Sequence, residues 1–261
     1  RYYFHYKKYD KALESALKSE SANPYLLYGH VIASKIYNLK GDKLNALKYA
    51  KSALINMPNN SLHIGEFCKL VLDLNDEESL EEFYPLLTKS NKIVPWKSYL
   101  ITKSSLVIPG NPIAIKRAEK AVRLFPYDTE LKQVLKTLKV GQSNINIAFS
   151  LGQEGSIKYA QKLYPEAIKL FEQAISYDPY EYSYYENLAL AYYTLNDLDK
   201  ATENIDMVIN QMNPLNGKCE YIKGLIYIKY GMVDQACDLF KTSLASGFSQ
   251  AIGIQNQYCN K

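Results

Sequence analysis

The sequence predicts an all-α fold, an αα-superhelix of about seven helical hairpins with a C-terminal capping helix. Three observations carry that expectation. Small or aliphatic anchors at Ala12, Ala46, Leu80 and Ala114 are spaced by 34 residues throughout, and Ala167 and Ala201 repeat the interval. Small residues recur at i, i+4 and i+7 from an anchor, as in Ala46, Ala50 and Ala53 or Ala114, Ala118 and Ala121. Turn residues separate the two helices of each unit and close it. A two-helix unit at a fixed period cannot bury its apolar face alone, so stacked copies must cover one another.

Residues 164–205 show the unit complete: a helix, a proline-marked turn, a second helix, a polar turn, and the first helix beginning again. The first unit, YYFHYKKYDKALESALKSESANP, ends at Pro24, twelve residues after Ala12. Pro58 follows Ala46 and Pro126 follows Ala114 at the same distance. Proline there cannot continue a helix, and it pushes the preceding residue out of the α region. Gly41-Asp42 ends one helix and opens the next, because glycine takes the positive φ that stops a helix. The small-residue face lets a neighbouring helix approach closely. Counting back from Ala12 starts the chain about halfway through the first helix of a repeat, as expected for a portion of a longer protein.

Residues 128–166 break the register. Ala167 follows Ala114 by 53 residues, 19 more than one period, which leaves room for one extra helix. DTELKQVLKTLKV is expected to close a first block, residues 1–140, as a capping helix. Residues 141–261 then form a second block whose first helix begins near residue 145. One continuous superhelix with an irregular repeat is the alternative. Ala167, Ala201 and Ala236 anchor three hairpins, and the last spacing is 35, with the added residue expected in the turn Asn213-Pro214-Leu215-Asn216-Gly217. The tail after Gly247 should fold as a final helix over the open apolar face.

Hydrophobic residues at 47% and charged residues at 22% exclude a disordered chain. The 24 tyrosines suit a thin two-layer fold, whose side chains are often apolar at the body and wet at the tip. A net charge of +4 makes no demand for nucleic acid or an acidic membrane. No apolar run reaches bilayer-spanning length, so this chain is not expected to insert in a membrane.

Leu188, Ala189, Tyr192, Asp197 and Ala201, with Ala167, Phe171, Ala174 and Pro179 before them, resemble the tetratricopeptide repeat family. The resemblance covers nearly the whole chain and is weakest at Leu80 and at 128–160. It implies a right-handed superhelix whose groove, lined by the first helix of each hairpin, binds a peptide or partner domain. The ending is also similar to repeat regions of bacterial envelope proteins, including O-antigen ligase-like ones. The carboxylate-clamp form of the family needs paired Lys and Asn on successive first helices. Asn187 alone is suggestive, so chaperone-tail binding is not expected.

Eleven residues before the first four anchors stand Arg1, Lys35, Lys69 and Lys103. At about 100° per residue, Lys35 lies opposite Ala33, Ser34 and Tyr37 and on the side of Tyr28 and Asn38. Stacked repeats would align the four cations into a stripe that attracts an acidic peptide, phosphate or anionic glycan, against the plainer reading of a solvated lysine face. Trp96 and Tyr99 in the first block, and Glu186 and Tyr193 in the second, are further candidate partner contacts. Local packing is the competing reading for Trp96.

Cys68, Cys219, Cys237 and Cys259 show no C-x-x-C and no histidine at ligand spacing, so no zinc site or other metal is expected. Cys237 and Cys259 either form a disulfide, which would place the chain in an oxidising, extracytoplasmic compartment such as the periplasm, or remain a pair of buried thiols. His5, His30 and His63 have no nucleophile in a suggestive context, and no phosphate-binding or nucleophile-elbow motif occurs. No cofactor or catalysis is expected. The reading is a protein-interaction scaffold. Its alternatives are an extracytoplasmic appendage of a membrane glycan ligase or polymerase and, further off, an RNA-binding helical repeat.

Overall fold

Every anchor of the register is buried: Ala12 is 4% exposed, and Ala46, Leu80, Ala114, Ala167, Ala201 and Ala236 are all at 0%. The computed structural model describes residues 2–23, 27–89, 91–212 and 214–259, so Arg1, Pro24 and Asn213 lie outside the described residues. Those residues form sixteen α-helices and no strand.

The chain separates into two compact units, residues 1–141 and 142–261. In unit 1 the hairpins are α1 (Tyr2–His5) with α2 (Tyr9–Ala22), α3 (Leu27–Leu39) with α4 (Lys43–Asn56), α5 (Ser61–Leu74) with α6 (Glu77–Thr88), and α7 (Ile93–Leu106) with α8 (Pro112–Leu124). Helix α9 (Thr129–Val140) caps them and is the extra helix expected between Ala114 and Ala167. Unit 2 pairs α10 (Gln142–Ala160) with α11 (Tyr164–Tyr177), α12 (Tyr182–Thr194) with α13 (Leu198–Met207), and α14 (Lys218–Lys229) with α15 (Val233–Ala245). Helix α16 (Ala251–Cys259) closes it.

Each hairpin turns at one register position. The residue five before the anchor has positive φ at Lys7 (56°), Gly41 (81°), Asn75 (52°), Lys162 (62°), Asn196 (63°) and Gly231 (79°). In the fourth hairpin that position is Pro109, whose ring fixes φ negative, and the left-handed residue moves on by one to Gly110 (φ 88°). Beyond the turn, Asp42, Asp76, Asn111 and Asp197 cap the second helices by accepting backbone N–H bonds of 3.0–3.3 Å.

Two boundaries differ from expectation. Helix α10 starts at Gln142, not near 145, because Gly141 (φ 90°) makes the whole break and the Gln142 side chain bonds Asn146 inside the new helix at 2.9 Å. The 35-residue spacing is met upstream of the 213–217 turn, where Val208–Met212 forms a π-helical turn. Such a turn absorbs one inserted residue without breaking the helix.

Unit 1 packs around Phe67, Phe83, Trp96, Tyr99 and Leu100, and unit 2 around Phe171, Ile205, Ile222 and Phe240. Small residues on the first helices make room for rings on the second. An added Cβ would lie 2.7 Å from the Phe171 ring at Gly155 and 2.4 Å from the Phe240 ring at Gly224.

A disulfide joins Cys237 on α15 to Cys259 on α16 and pins the capping helix, through its buried Ala251, over Ala236 and Phe240 of α15. Cys68 and Cys219 remain free and buried. Burial pushes the Cys68 thiol up to about 11; burial and then the Glu186 carboxylate push the Cys219 thiol up further. Neither is a thiolate at neutral pH, so neither is reactive. Thiol counting should therefore find essentially none in the native protein and two after unfolding without reductant. Four thiols on unfolding would show that Cys237 and Cys259 are not bonded.

Candidate partner-binding surfaces

In unit 1 the first helices carry the expected cation positions, and the structure treats them unequally. Lys35 is half-buried and Lys69 exposed, with Tyr28 exposed and Asn38 half-buried beside them on α3. Tyr28 borders a cavity of about 360 Å³ between α2 and α3, lined also by Tyr3, Ser15 and Ile32. Lys103 departs from the expected stripe. It is 3% exposed and its ammonium sits on Glu77 and Glu81 of α6. Those two carboxylates, one helical turn apart, neutralise it, and no outward cation remains at that position.

Trp96 (1% exposed) and Tyr99 (0%) are likewise core residues and not partner contacts. The Trp96 indole stands edge-on to Tyr84 at 6.2 Å, and the Tyr99 hydroxyl donates to Glu81 at 3.1 Å. Arg117 of α8 bonds Glu81 at 2.6 Å and lies 3.7 Å over the Tyr84 ring. Burial raises the Glu81 carboxyl, but its bonds to Lys103 and Arg117 outweigh that and hold it below the usual carboxylate range. This network ties α6, α7 and α8 together.

In unit 2, Glu186 is also interior, at 2% exposed. It accepts from Asn216 at 3.2 Å and from the Cys219 thiol at 3.2 Å, and pairs with Lys218 at 3.0 Å. Tyr99 and Glu186 both stand fifteen residues before an anchor, and in both places that column faces the seam between repeats. Tyr193 stays half-exposed on α12. The Lys229 ammonium lies 4.4 Å over its ring and bonds its carbonyl oxygen at 3.2 Å and Asn196 at 3.0 Å.

Beside Tyr193 is a slot whose lining the sequence reading did not assemble. Ser156 and Tyr159 of α10, Phe171 of α11, and Asn187 and Leu190 of α12 line a cavity of about 110 Å³. Gly152 and Gly155 let the rings of Tyr184 (α12) and Phe171 (α11) seat directly on α10, where an added Cβ would lie 2.5 and 2.7 Å from them, and the small Ser156 stands at the slot itself. The Ser156 hydroxyl donates to the Gly152 carbonyl at 2.9 Å. Tyr159 and Thr194 share a hydroxyl bond at 3.1 Å, and the Asn187 amide oxygen accepts from Lys218 at 3.1 Å. The register did hold a signal for it: Ser156 and Leu190 occupy the position of Lys35 and Lys69, eleven before the anchor.

Among the described residues no group of three or more His, Cys, Asp or Glu is placed to hold a metal ion, and no helix is long and apolar enough to cross a membrane.

No family model and no curated protein matches this chain. Solved structures do. The chain is similar to a tetratricopeptide repeat protein from Parabacteroides merdae, at 17% identity over 97% of this chain and 94% of that one, with a TM-score of 0.38. It is similar to the TPR2AB-domain–pHSP90 complex of yeast Sti1, at 14% identity over 89% and 97%, TM-score 0.40. It is also similar to YrrB, described as a TPR protein with an unusual peptide-binding site, at 12% identity over 94% and 100%, TM-score 0.36. These likenesses concern the helical-repeat fold.

Proposed function

We propose that the chain is a non-catalytic scaffold that binds an extended segment of a partner protein along the first helices of its hairpins, with the firmest grip in unit 2. The observation that carries this is the slot between α10 and α12. It has an apolar floor in Phe171 and Leu190, a polar rim in Ser156, Tyr159 and Asn187, and Tyr193 beyond it on α12. A row of that kind holds one aliphatic side chain of a peptide and offers the Asn187 amide to its backbone. The helices are already packed, so little ordering cost opposes binding.

Peptides selected from a random library on the immobilised chain test the proposal by fluorescence polarisation. Ser156→Phe, which fills the slot, and Asn187→Ala should each weaken binding about tenfold or more, with Lys169→Ala, an exposed position of α11 outside the slot lining, as control. Selected peptides that bind both variants as they bind the parent chain would remove the proposal.

In unit 1 the accessible cations Lys35 and Lys69, with Tyr28 and Asn38, keep an acidic partner segment in view as the second, weaker contact. The Cys237–Cys259 bond favours an oxidising compartment, and with it the reading as an extracytoplasmic appendage of a membrane glycan enzyme. Finding both cysteines reduced in cells quenched with an alkylating agent would count against that placement.

A further inference from the structure

The modest charge of the whole chain conceals a division between its units. Residues 1–141 carry 22 Lys and Arg against 14 Asp and Glu, a net +8, while residues 142–261 carry 9 against 13, a net −4. Such asymmetry points to an anionic surface as partner of the basic part.

The excess concentrates on the last hairpin and cap of unit 1. Along α8, Ile113, Lys116, Lys120, Arg123 and Leu124 fall within an arc of about 100°, opposite the buried Ala114, Ala118 and Ala121. All five outward residues are exposed. On α9, Lys132, Lys136 and Lys139 share one flank, and Lys139 meets Glu119, at the edge of the outward arc of α8, at 3.1 Å, which brings that flank alongside α8. Lys116, Arg123 and Lys132 meet no carboxylate within 4.0 Å among the described residues. Large apolar side chains stand at both ends of this field: Ile108 (80% exposed) and Ile113 at one, Leu124 and Tyr127 (92%) at the other.

We propose that this face of unit 1 binds peripherally to an anionic phospholipid surface. Cations alone would suit RNA or an acidic peptide equally. The aliphatic and tyrosine side chains decide between them, since those partners neutralise the lysines but leave Ile108, Ile113 and Leu124 in water. A bilayer interface takes both: phosphates meet Lys116, Lys120, Arg123 and Lys132, the aliphatic groups enter the acyl boundary, and the Tyr127 ring sits at headgroup level. No residue of this face lines the unit 2 slot, so the two readings stand or fall separately.

The test is co-sedimentation of the full chain with vesicles of phosphatidylcholine alone, or of phosphatidylcholine with phosphatidylglycerol, at low and high salt. Binding is expected only to the anionic vesicles and should weaken as salt rises. The triple variant Lys116→Gln/Arg123→Gln/Lys132→Gln removes only exposed, unpaired charges and should keep the parent helical content. It should lower partitioning about 100-fold. A second variant, Ile108→Ser/Ile113→Ser, should weaken binding while leaving the salt dependence unchanged. Equal binding to both vesicles, an unaffected triple variant, or capture of RNA or polyglutamate without vesicle binding would overturn the proposal.

Discussion

Trp96→Ala should destabilise unit 1 by about 3–5 kcal/mol in guanidinium melts followed by helical circular dichroism. The indole is among the largest fully buried side chains, with Tyr84 from α6 edge-on to it and the Lys120 ammonium from α8 at 5.6 Å over its ring. Truncation leaves a cavity between three helices that cannot close without moving the Glu81–Arg117–Tyr99 network. Trp96→Phe keeps most of the volume and removes an indole N–H that has no acceptor among the described residues, so it should cost less than about 1.5 kcal/mol. A partner-facing tryptophan would behave in the opposite way, with alanine weakening binding and leaving the melt unchanged.

The other large effect is expected at Gly224. Valine there places its first added carbon 2.4 Å from Cε1 of Phe240, with Cδ1 and Cζ at 2.8 and 2.9 Å. The ring is fully buried against Tyr221, so it cannot swing aside. Overpacking of this kind costs about 1–3 kcal/mol and occasionally more, and three added carbons put Gly224→Val at or above about 3 kcal/mol. Gly65→Ala is the matched control. That glycine is an exposed position of α5 with nothing within 4 Å of the added carbon, so alanine should stabilise by about 0.5–1 kcal/mol. Similar melts for Gly224→Val and the parent chain would mean that the ring-on-glycine contact is not where the stability of unit 2 lies.

How legible the molecule was in its sequence depends on the kind of feature. The repeat pattern located all seven anchors, six of them in two runs at strict 34-residue spacing, because an anchor's burial follows from repetition alone. It also placed the extra helix α9, since the excess over one period is a length. Side-chain direction within a repeat was harder to read. Lys103 holds the same register position as Lys35 and Lys69, yet α6 happens to supply Glu77 and Glu81 opposite it and draws it inward. Trp96, Tyr99 and Glu186 are candidate partner contacts on the sequence alone, with local packing the competing reading for Trp96, because nothing local shows the neighbouring hairpin that covers them. The slot in unit 2 is lined from α10, α11 and α12 together, and only packing brings those residues to one place.

Hydrogen exchange with and without a selected peptide is the most direct measurement of the central claim, that the first helices of these hairpins grip a partner segment. Added protection in α10 over 149–160 and in α12 over 183–194, with α11 and α13 unchanged, is the predicted result. Protection confined to α11, α13 or α15, on the second helices, would contradict it.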